Sequence, residues 1–260
     1  MRPPKLPTLH PVTQTPIRIT RNILSIETAT DACSVALSRD GDVSEIYEVI
    51  PRQHSQRLLG MLEELVPGGD LRAAGVEAIA YGEGPGSFTG LRIAASAAQG
   101  LAFAAELPAI GVSTLACQAL TAMREQSIDY GAAILSLVDA RINQTYYALY
   151  RAESGSPVCL AGPGVCAPDA LPVADLREVA DGSPIHAVGS GAVFAEQFPT
   201  GLDLVVSDAM TGILPRARDM LLLAQYALTV GQVQSPEQIA PTYVQERIGW
   251  KKISEQGKRS

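Results

Sequence analysis

Apolar and polar positions along the chain alternate between two periods. Asn22–Thr28, Ala32–Leu37 and Val43–Ile50 are short runs rich in Ile, Leu and Val, the last two separated by Asp40-Gly41-Asp42. Runs this short, with an Asp-Gly turn between them, predict an antiparallel meander of three strands. From His54 the period changes. Leu58, Leu59, Leu62, Leu65 and Val66 recur at helical spacing, and Pro67-Gly68-Gly69 ends the helix. Val76–Tyr81 reads as a strand, 89–105 as a second helix and Ala109–Val112 as a further strand. Ser113 caps a third helix that runs to about Met123.

The second half opens in the same way. Ala133–Asp139 is a buried-type strand ending in an acid, and Thr145–Tyr150 forms a hairpin with it. Residues 153–184 are rich in Pro, Gly and Ala and give no clear period. Ile185–Val188 is a strand that runs into Gly189-Ser190-Gly191. A long helix is predicted over 212–230 and an extended segment over 235–244. Two lobes, each opening with a strand that ends near an acid, predict a duplicated α/β fold of mixed sheets with packed helices. No repeat is visible at the level of residues.

The boundaries that follow are a disordered extension over 1–21, a first lobe over 22–112, a second over 113–232 and a C-terminal extended segment with a basic tail over 233–260. The extension holds five prolines and few large apolar groups.

Composition narrows the function classes. The chain has 260 residues, 47% hydrophobic and 18% charged, with a formal net charge of -7. Proteins that grip nucleic acid unaided present a basic face. Here the basic cluster is Lys251, Lys252, Lys258 and Arg259 at the extreme C-terminus, read as a solvated tail. No apolar run is long enough for a membrane span and the start lacks a secretory apolar core, so the expectation is a cytoplasmic protein with no membrane association. Cys33, Cys117, Cys159 and Cys166 form no CxxC pair and are expected to be reduced and mostly buried.

The densest signal is Gly84-Pro85-Gly86-Ser87-Phe88-Thr89-Gly90, which runs directly into Leu91-Arg92-Ile93-Ala94-Ala95-Ser96. It is a tight turn at a helix N-terminus, capped by Ser87 or Thr89. Free amides at such an end can hold an anion. A close-packed turn is the alternative. Ser87 does not sit in a G-x-S-x-G elbow, so it reads as a cap and not as a nucleophile.

These segments are similar to the bacterial TsaB (YeaZ) family: Ile26–Leu37, His54–Leu59, Gly84–Ile93, Gln99–Ala102, Gly111–Leu115, Asp139–Arg141 and Pro241–Val244. The likeness covers about residues 22–252. It implies an actin-like (ASKHA, ribonuclease H-like) ATPase fold of two related lobes. It also implies a role in making N6-threonylcarbamoyladenosine in tRNA beside the anticodon. In that family TsaB is a non-catalytic partner of TsaD, the transferase, and TsaE joins them in a larger complex. The implied partners are TsaD in a heterodimer, TsaE, tRNA only through the complex, and a second copy when TsaD is absent.

An HxxxH pair holds metal in the related catalytic subunit; here His10, His54 and His186 lie far apart, so neither a metal nor a catalytic residue is assigned. In actin-like ATPases an Asp-Gly-Thr hairpin approaches phosphate. Here the matching stretch is Glu27-Thr28-Ala29-Thr30, one methylene longer at the acid and without the glycine. Asp139 could hold Mg²⁺ through water, and Gly189 and Gly191 could pass near a base or ribose. Glu27, Thr28, Asp139, Gly189 and Gly191 are therefore the nucleotide candidates, read as relics of the fold. ATP or ADP has a place only at the interface shared with TsaD. An independent ATPase and a glycoprotease-like peptidase are the alternatives. TsaD is expected to dock on the first-lobe helices, with His54, Leu58, Leu62, Arg92, Ala95 and Ala98 as interface candidates. Gly84, Gly86, Ser87, Thr89 and Gly90 form the structural loop that launches the second of these helices.

Overall fold

A computed structural model describes residues 18–153 and 155–244. The disorder predicted for 1–17 and the basic tail lie outside the described residues. The first sheet holds β1 (Ile23–Glu27), β2 (Ala32–Arg39), β3 (Asp42–Val49), β4 (Ala78–Gly84) and β5 (Ala109–Ser113), in the spatial order β3-β2-β1-β4-β5. β1, β2 and β3 are the antiparallel meander, whereas β4 pairs parallel to β1 and β5 parallel to β4. The Asp-Gly turn forms as expected, with Asp40 at φ 55 and Gly41 at φ 94 between the paired Arg39 and Asp42. Positive φ at both central residues matches the twist of the two strands.

Helices α1 (His54–Leu65) and α2 (Phe88–Ala105) cover one face of this sheet, with Leu58, Met61, Leu62, Ala94, Ala98 and Ala102 packed against Leu24, Ile26, Val35, Ile79 and Tyr81. α3 (Thr114–Glu125) then leads into the second sheet.

That sheet holds β6 (Ala133–Arg141), β7 (Gln144–Glu153), β8 (Ser156–Cys166), β9 (Ile185–Val188) and β10 (Leu204–Val205), in the order β10-β9-β6-β7-β8. β6, β7 and β8 are an antiparallel meander, with β9 parallel to β6 and β10 parallel to β9. The connectivity of the first sheet is thus repeated. The duplicated two-lobe α/β architecture, inferred from the order of elements alone, is present in the backbone even though the residues do not repeat.

The lobes are joined by exchange of their last helices. α3, which follows the first sheet, packs Leu115, Ala119 and Ala122 against Ile134, Val138, Tyr146 and Ala148 of the second. α6 (Ala217–Thr229), which closes the second lobe, packs Ala217, Met220, Leu221 and Ala224 against Ile23, Ala36, Ala80 and Ile110 of the first. The two helices meet at a charge network. Arg124 on α3 donates to both carboxylate oxygens of Asp219 on α6, at 2.7 and 2.8 Å. Arg216, just before α6, pairs with the buried Glu45 of β3 at 2.7 Å.

Several expectations shift. The predicted helix over 212–230 begins at Ala217, because Pro215 breaks the run; a separate short helix, α5, covers Asp208–Thr211. The stretch 153–184 holds β8 and a short helix, α4 (Val173–Val179). Residues 18–21, read as part of the disordered extension, are held against α6: Thr20 donates its amide to Gln225 Oε1 at 2.6 Å, and Ile19 joins the apolar cluster beneath. Cys33 and Cys117 are buried as expected, whereas Cys159 is exposed on the edge strand β8. Among the described residues no helix is long and apolar enough to cross a membrane.

Candidate functional site

The glycine loop joins β4 to α2, and its glycines are set by what lies against them. The amide of Ser87 donates to the Ala29 carbonyl of the β1–β2 turn at 2.7 Å. The Thr28 hydroxyl donates to the Gly90 carbonyl at 2.7 Å. A Cβ on Gly86 would meet the Ala29 carbonyl at 2.5 Å, and one on Gly90 would collide with the Thr28 carbonyl. Gly84 has φ +121 and lies against the Thr242 carbonyl. Of the two cap candidates it is Ser87 that serves: its Oγ accepts from the Gly90 amide at 3.3 Å, while Thr89 is exposed in the first turn of α2. Two amides that could face an anion are thereby taken by the chain itself.

The other nucleotide candidates are equally engaged. Glu27 is fully buried; its Oε1 accepts from the Ala29 amide at 2.7 Å and its Oε2 from the Thr114 hydroxyl at 3.2 Å. Gly82 on β4 must be glycine, because a Cβ there would strike this carboxyl. Burial pushes the Glu27 carboxyl up to about 7, against the opposing hydrogen bonds from Ala29, Thr114 and Thr28. In the second lobe Asp139 accepts from the Arg141 amide at 2.8 Å and from Arg141 Nη1 at 3.2 Å. The Asp139 amide donates to Ser190 Oγ at 3.0 Å. Arg141 also lies 3.7 Å from Asp31 of the first lobe, so a cation bridges the two hairpins. Gly189, at φ +94, abuts Gln118 and the Leu137 carbonyl, and Gly191 abuts Thr145. A methyl group does not fit between the glycine loop and the first hairpin, so a phosphate in that position does not fit the residues present. Among the described residues no three His, Cys, Asp or Glu side chains gather as a metal-holding group.

The interface candidates need correction. His54 is buried with Nε2 3.1 Å from the Ala32 carbonyl, and Leu58, Leu62, Ala95 and Ala98 are buried in the first lobe's core. The physical reason is general: a helix's apolar stripe marks the face it presents to its own sheet. Arg92 alone of the six is exposed. The outward face of α2 is instead Phe88, Arg92, Ser96, Gln99, Gly100 and Phe103, which recur at helical spacing with Gln99 and Gly100 side by side. Phe88 is 52% exposed and Phe103 68%, and Leu59 of α1 stands out at 70%. Neither ring stands out in the sequence: Phe88 lies in the turn-and-cap stretch Ser87-Phe88-Thr89-Gly90, and Phe103 stands among Leu101, Ala102, Ala104 and Ala105, where an apolar residue reads as core.

The C-terminal segment completes this face. After α6 the chain returns along β5, where Gln234 pairs with Ala109. It then crosses toward α2, with Ile239 in the core, and the Thr242 amide donates to the Glu83 carbonyl at 2.7 Å. Gln99 donates to the Pro236 carbonyl at 2.9 Å. Tyr243 ends at the N-terminus of α2, its ring 5.5 Å from Phe88. The Arg92 guanidinium lies 3.8 Å over the Phe88 ring, and its Nε donates to the Tyr243 hydroxyl at 3.3 Å. An open groove of about 340 Å³ runs beside them, lined by Ser96, Gln99, Gly100, Phe103, Pro236 and Glu237.

Similar proteins are consistent with the architecture. A family model described as "TsaD: tRNA N6-adenosine threonylcarbamoyltransferase" matches residues 44–202. The chain is 38% identical over 232 residues to a protein of Escherichia coli named tRNA threonylcarbamoyladenosine biosynthesis protein TsaB, covering 89% of this chain and 97% of that one. The Haemophilus influenzae protein of the same name is 34% identical, covering 89% and 96%. Among solved structures, YeaZ from Pseudomonas aeruginosa superposes with a TM-score of 0.73 at 36% identity, covering 86% of this chain and 99% of that one.

Proposed function

The chain belongs to the TsaB (YeaZ) family, and from that premise we propose that it acts in tRNA threonylcarbamoyladenosine biosynthesis as a non-catalytic subunit that binds and activates TsaD. The observation that carries this reading is the exposed α2 face beside phosphate hairpins filled by their own chain. Phe88 and Phe103 stand at its two ends, 15 residues and so about 22 Å apart along the helix. Between them Ser96 and Gly100 leave the backbone accessible to a second helix. A Cβ on Gly100 would meet nothing within 4 Å, so the fold of this chain does not itself require glycine there. Glycine inside a helix costs about 1 kcal/mol relative to alanine, and close approach by a partner offsets that cost.

The same face fits a second copy when TsaD is absent. An antiparallel pairing centred between Ala95 and Ser96 sets Phe88 against Phe103 of the second copy, and Arg92 against its Gln99. Such a face is self-complementary about a two-fold axis, as a closed dimer needs. TsaE joins the heterodimer and tRNA is held by the assembly; the chain itself is assigned no cofactor, and ATP or ADP has a place only at the interface with TsaD. The net charge of -7 supports a partner-supplied contact to tRNA.

No geometry among the described residues favours the peptidase or independent ATPase readings. Ser87 Oγ caps α2, and His54 is bound to a backbone carbonyl. The test is reconstitution. Purified chain mixed with TsaD should co-elute as an equimolar complex and restore threonylcarbamoylation of tRNA in a mixture with TsaE. Failure to associate at micromolar concentration contradicts the proposal.

A further inference from the structure

Glu27 is the one buried carboxyl of the first hairpin, and among the described residues no cation pairs with it. Its contacts instead form a relay. The Thr114 hydroxyl at the start of α3 donates to Oε2 at 3.2 Å, and the Ala29 amide donates to Oε1 at 2.7 Å. The carbonyl of the same Ala29 accepts from the Ser87 amide at 2.7 Å. Ser87 is the cap of α2, and the next residue, Phe88, begins the exposed stripe and carries the Arg92 and Tyr243 contacts.

We propose that Glu27 is a positioning residue for the α2 docking face: its carboxylate fixes the β1–β2 turn, and the turn fixes where α2 begins. The inference rests on the docking reading above and adds the residue that orders the docking surface. An ionised carboxylate accepts from both donors more strongly than a neutral acid does. The buried carboxyl, pushed up to about 7, changes form within the neutral range. The docking face is therefore best ordered on the alkaline side of that value.

The other titratable groups around the turn come from every packed element. Cys33 on β2 is pushed up to about 11 by burial, and Cys117 on α3 is raised well above its usual range by burial. Asp219 on α6 and Glu45 on β3 are ion-paired to Arg124 and Arg216. His54 on α1 touches the far end of the turn at Ala32 and needs its own control.

The experiment measures affinity of the full chain for TsaD at about pH 6 and about pH 8, for the parent, Glu27→Gln and His54→Gln, with amide exchange of Phe88–Arg92 followed in parallel on the free chain. The parent should bind about fivefold more tightly at the higher pH, a typical size for coupling between sites. His54→Gln should keep that slope, and Glu27→Gln should lose it while remaining folded by thermal melting. Exchange in the first turn of α2 should follow the same pattern. A Glu27→Gln chain with the parent's slope in exchange overturns the inference. If no variant binds TsaD while exchange still follows Glu27, the docking reading fails and the positioning role stands.

Discussion

The Ser87 amide points at the Ala29 carbonyl, 2.7 Å away, and so the start of α2 is closed by the turn between β1 and β2. Glycine is required on the loop side of this contact because the hairpin backbone sits directly on Gly86 and Gly90. The loop that resembles an anion cradle is a joint between two elements of one lobe, and it holds the helix whose far side faces solvent.

Gly86→Val tests that joint. Its side chain would overlap the Ala29 carbonyl and methyl, at 2.5 and 2.8 Å from the new Cβ, and neither can move without shifting the hairpin. Overpacking of this kind costs about 1–3 kcal/mol. Thermal unfolding should fall accordingly and TsaD binding should weaken with it. Normal stability with intact binding would contradict the joint as described.

Gly100 gives the opposite signature. Gly100→Ala should raise stability by about 1 kcal/mol, because the position is helical and open. Gly100→Gln should leave the free chain at least as stable as the parent, since Gln is a better helix former than Gly, yet weaken TsaD binding and self-association by more than about tenfold, the cost of holding two helices apart. Denaturant unfolding and sedimentation separate the two effects.

Glu27 makes stability depend on pH. Its folded value is raised from 4.5 to about 7, so the native state holds the proton more tightly than the unfolded chain. The stabilisation of the whole fold is full below about pH 4.5 and is lost as pH rises through about 7, a difference of up to about 3 kcal/mol set by the desolvation of the charge; the hydrogen bonds from Ala29 and Thr114, which favour the charged form, still tighten locally as it ionises. Glu27→Gln should flatten this part of the urea-derived stability profile between about pH 5 and pH 8. An unchanged profile would mean that another group carries the dependence.

The helix exchange between lobes can be tested at Arg124. Removing it by Arg124→Ala leaves Asp219, 7% exposed, facing Thr121 alone. Breaking a buried pair costs about 3–5 kcal/mol, and the partial exposure of Arg124 brings the expected loss to about 2–3 kcal/mol. Asp219→Asn should cost less, since an amide still takes the Thr121 hydroxyl. Urea midpoints measured on both variants give the comparison.

Much of this molecule is legible in its residues, and the exceptions have physical causes. The first lobe reads strand by strand because its turns are marked by Asp40-Gly41 and Pro67-Gly68-Gly69. The duplication is carried by hydrogen-bond topology, which many sequences satisfy, so it leaves no residue repeat. Exchange of α3 and α6 is invisible for the same reason: an apolar stripe shows that a helix is buried but not on which sheet. The same ambiguity is why Leu58, Leu62, Ala95 and Ala98, expected at an interface, fill this chain's own core instead. Phe88 and Phe103 do reach solvent, but Phe88 falls in a turn-and-cap stretch of Ser, Thr and Gly, and Phe103 is apolar like its neighbours Leu101, Ala102 and Ala104. Tyr243 joins them through a segment 151 residues from Arg92 in sequence.

The central claim is that the outward face of α2 binds TsaD. Calorimetric titration of the full chain with TsaD, parent against Gly100→Gln, tests it most directly. The account predicts equimolar binding by the parent and a loss of more than about tenfold in the variant, with thermal stability no lower than the parent's. Equal affinity for the two chains would contradict it.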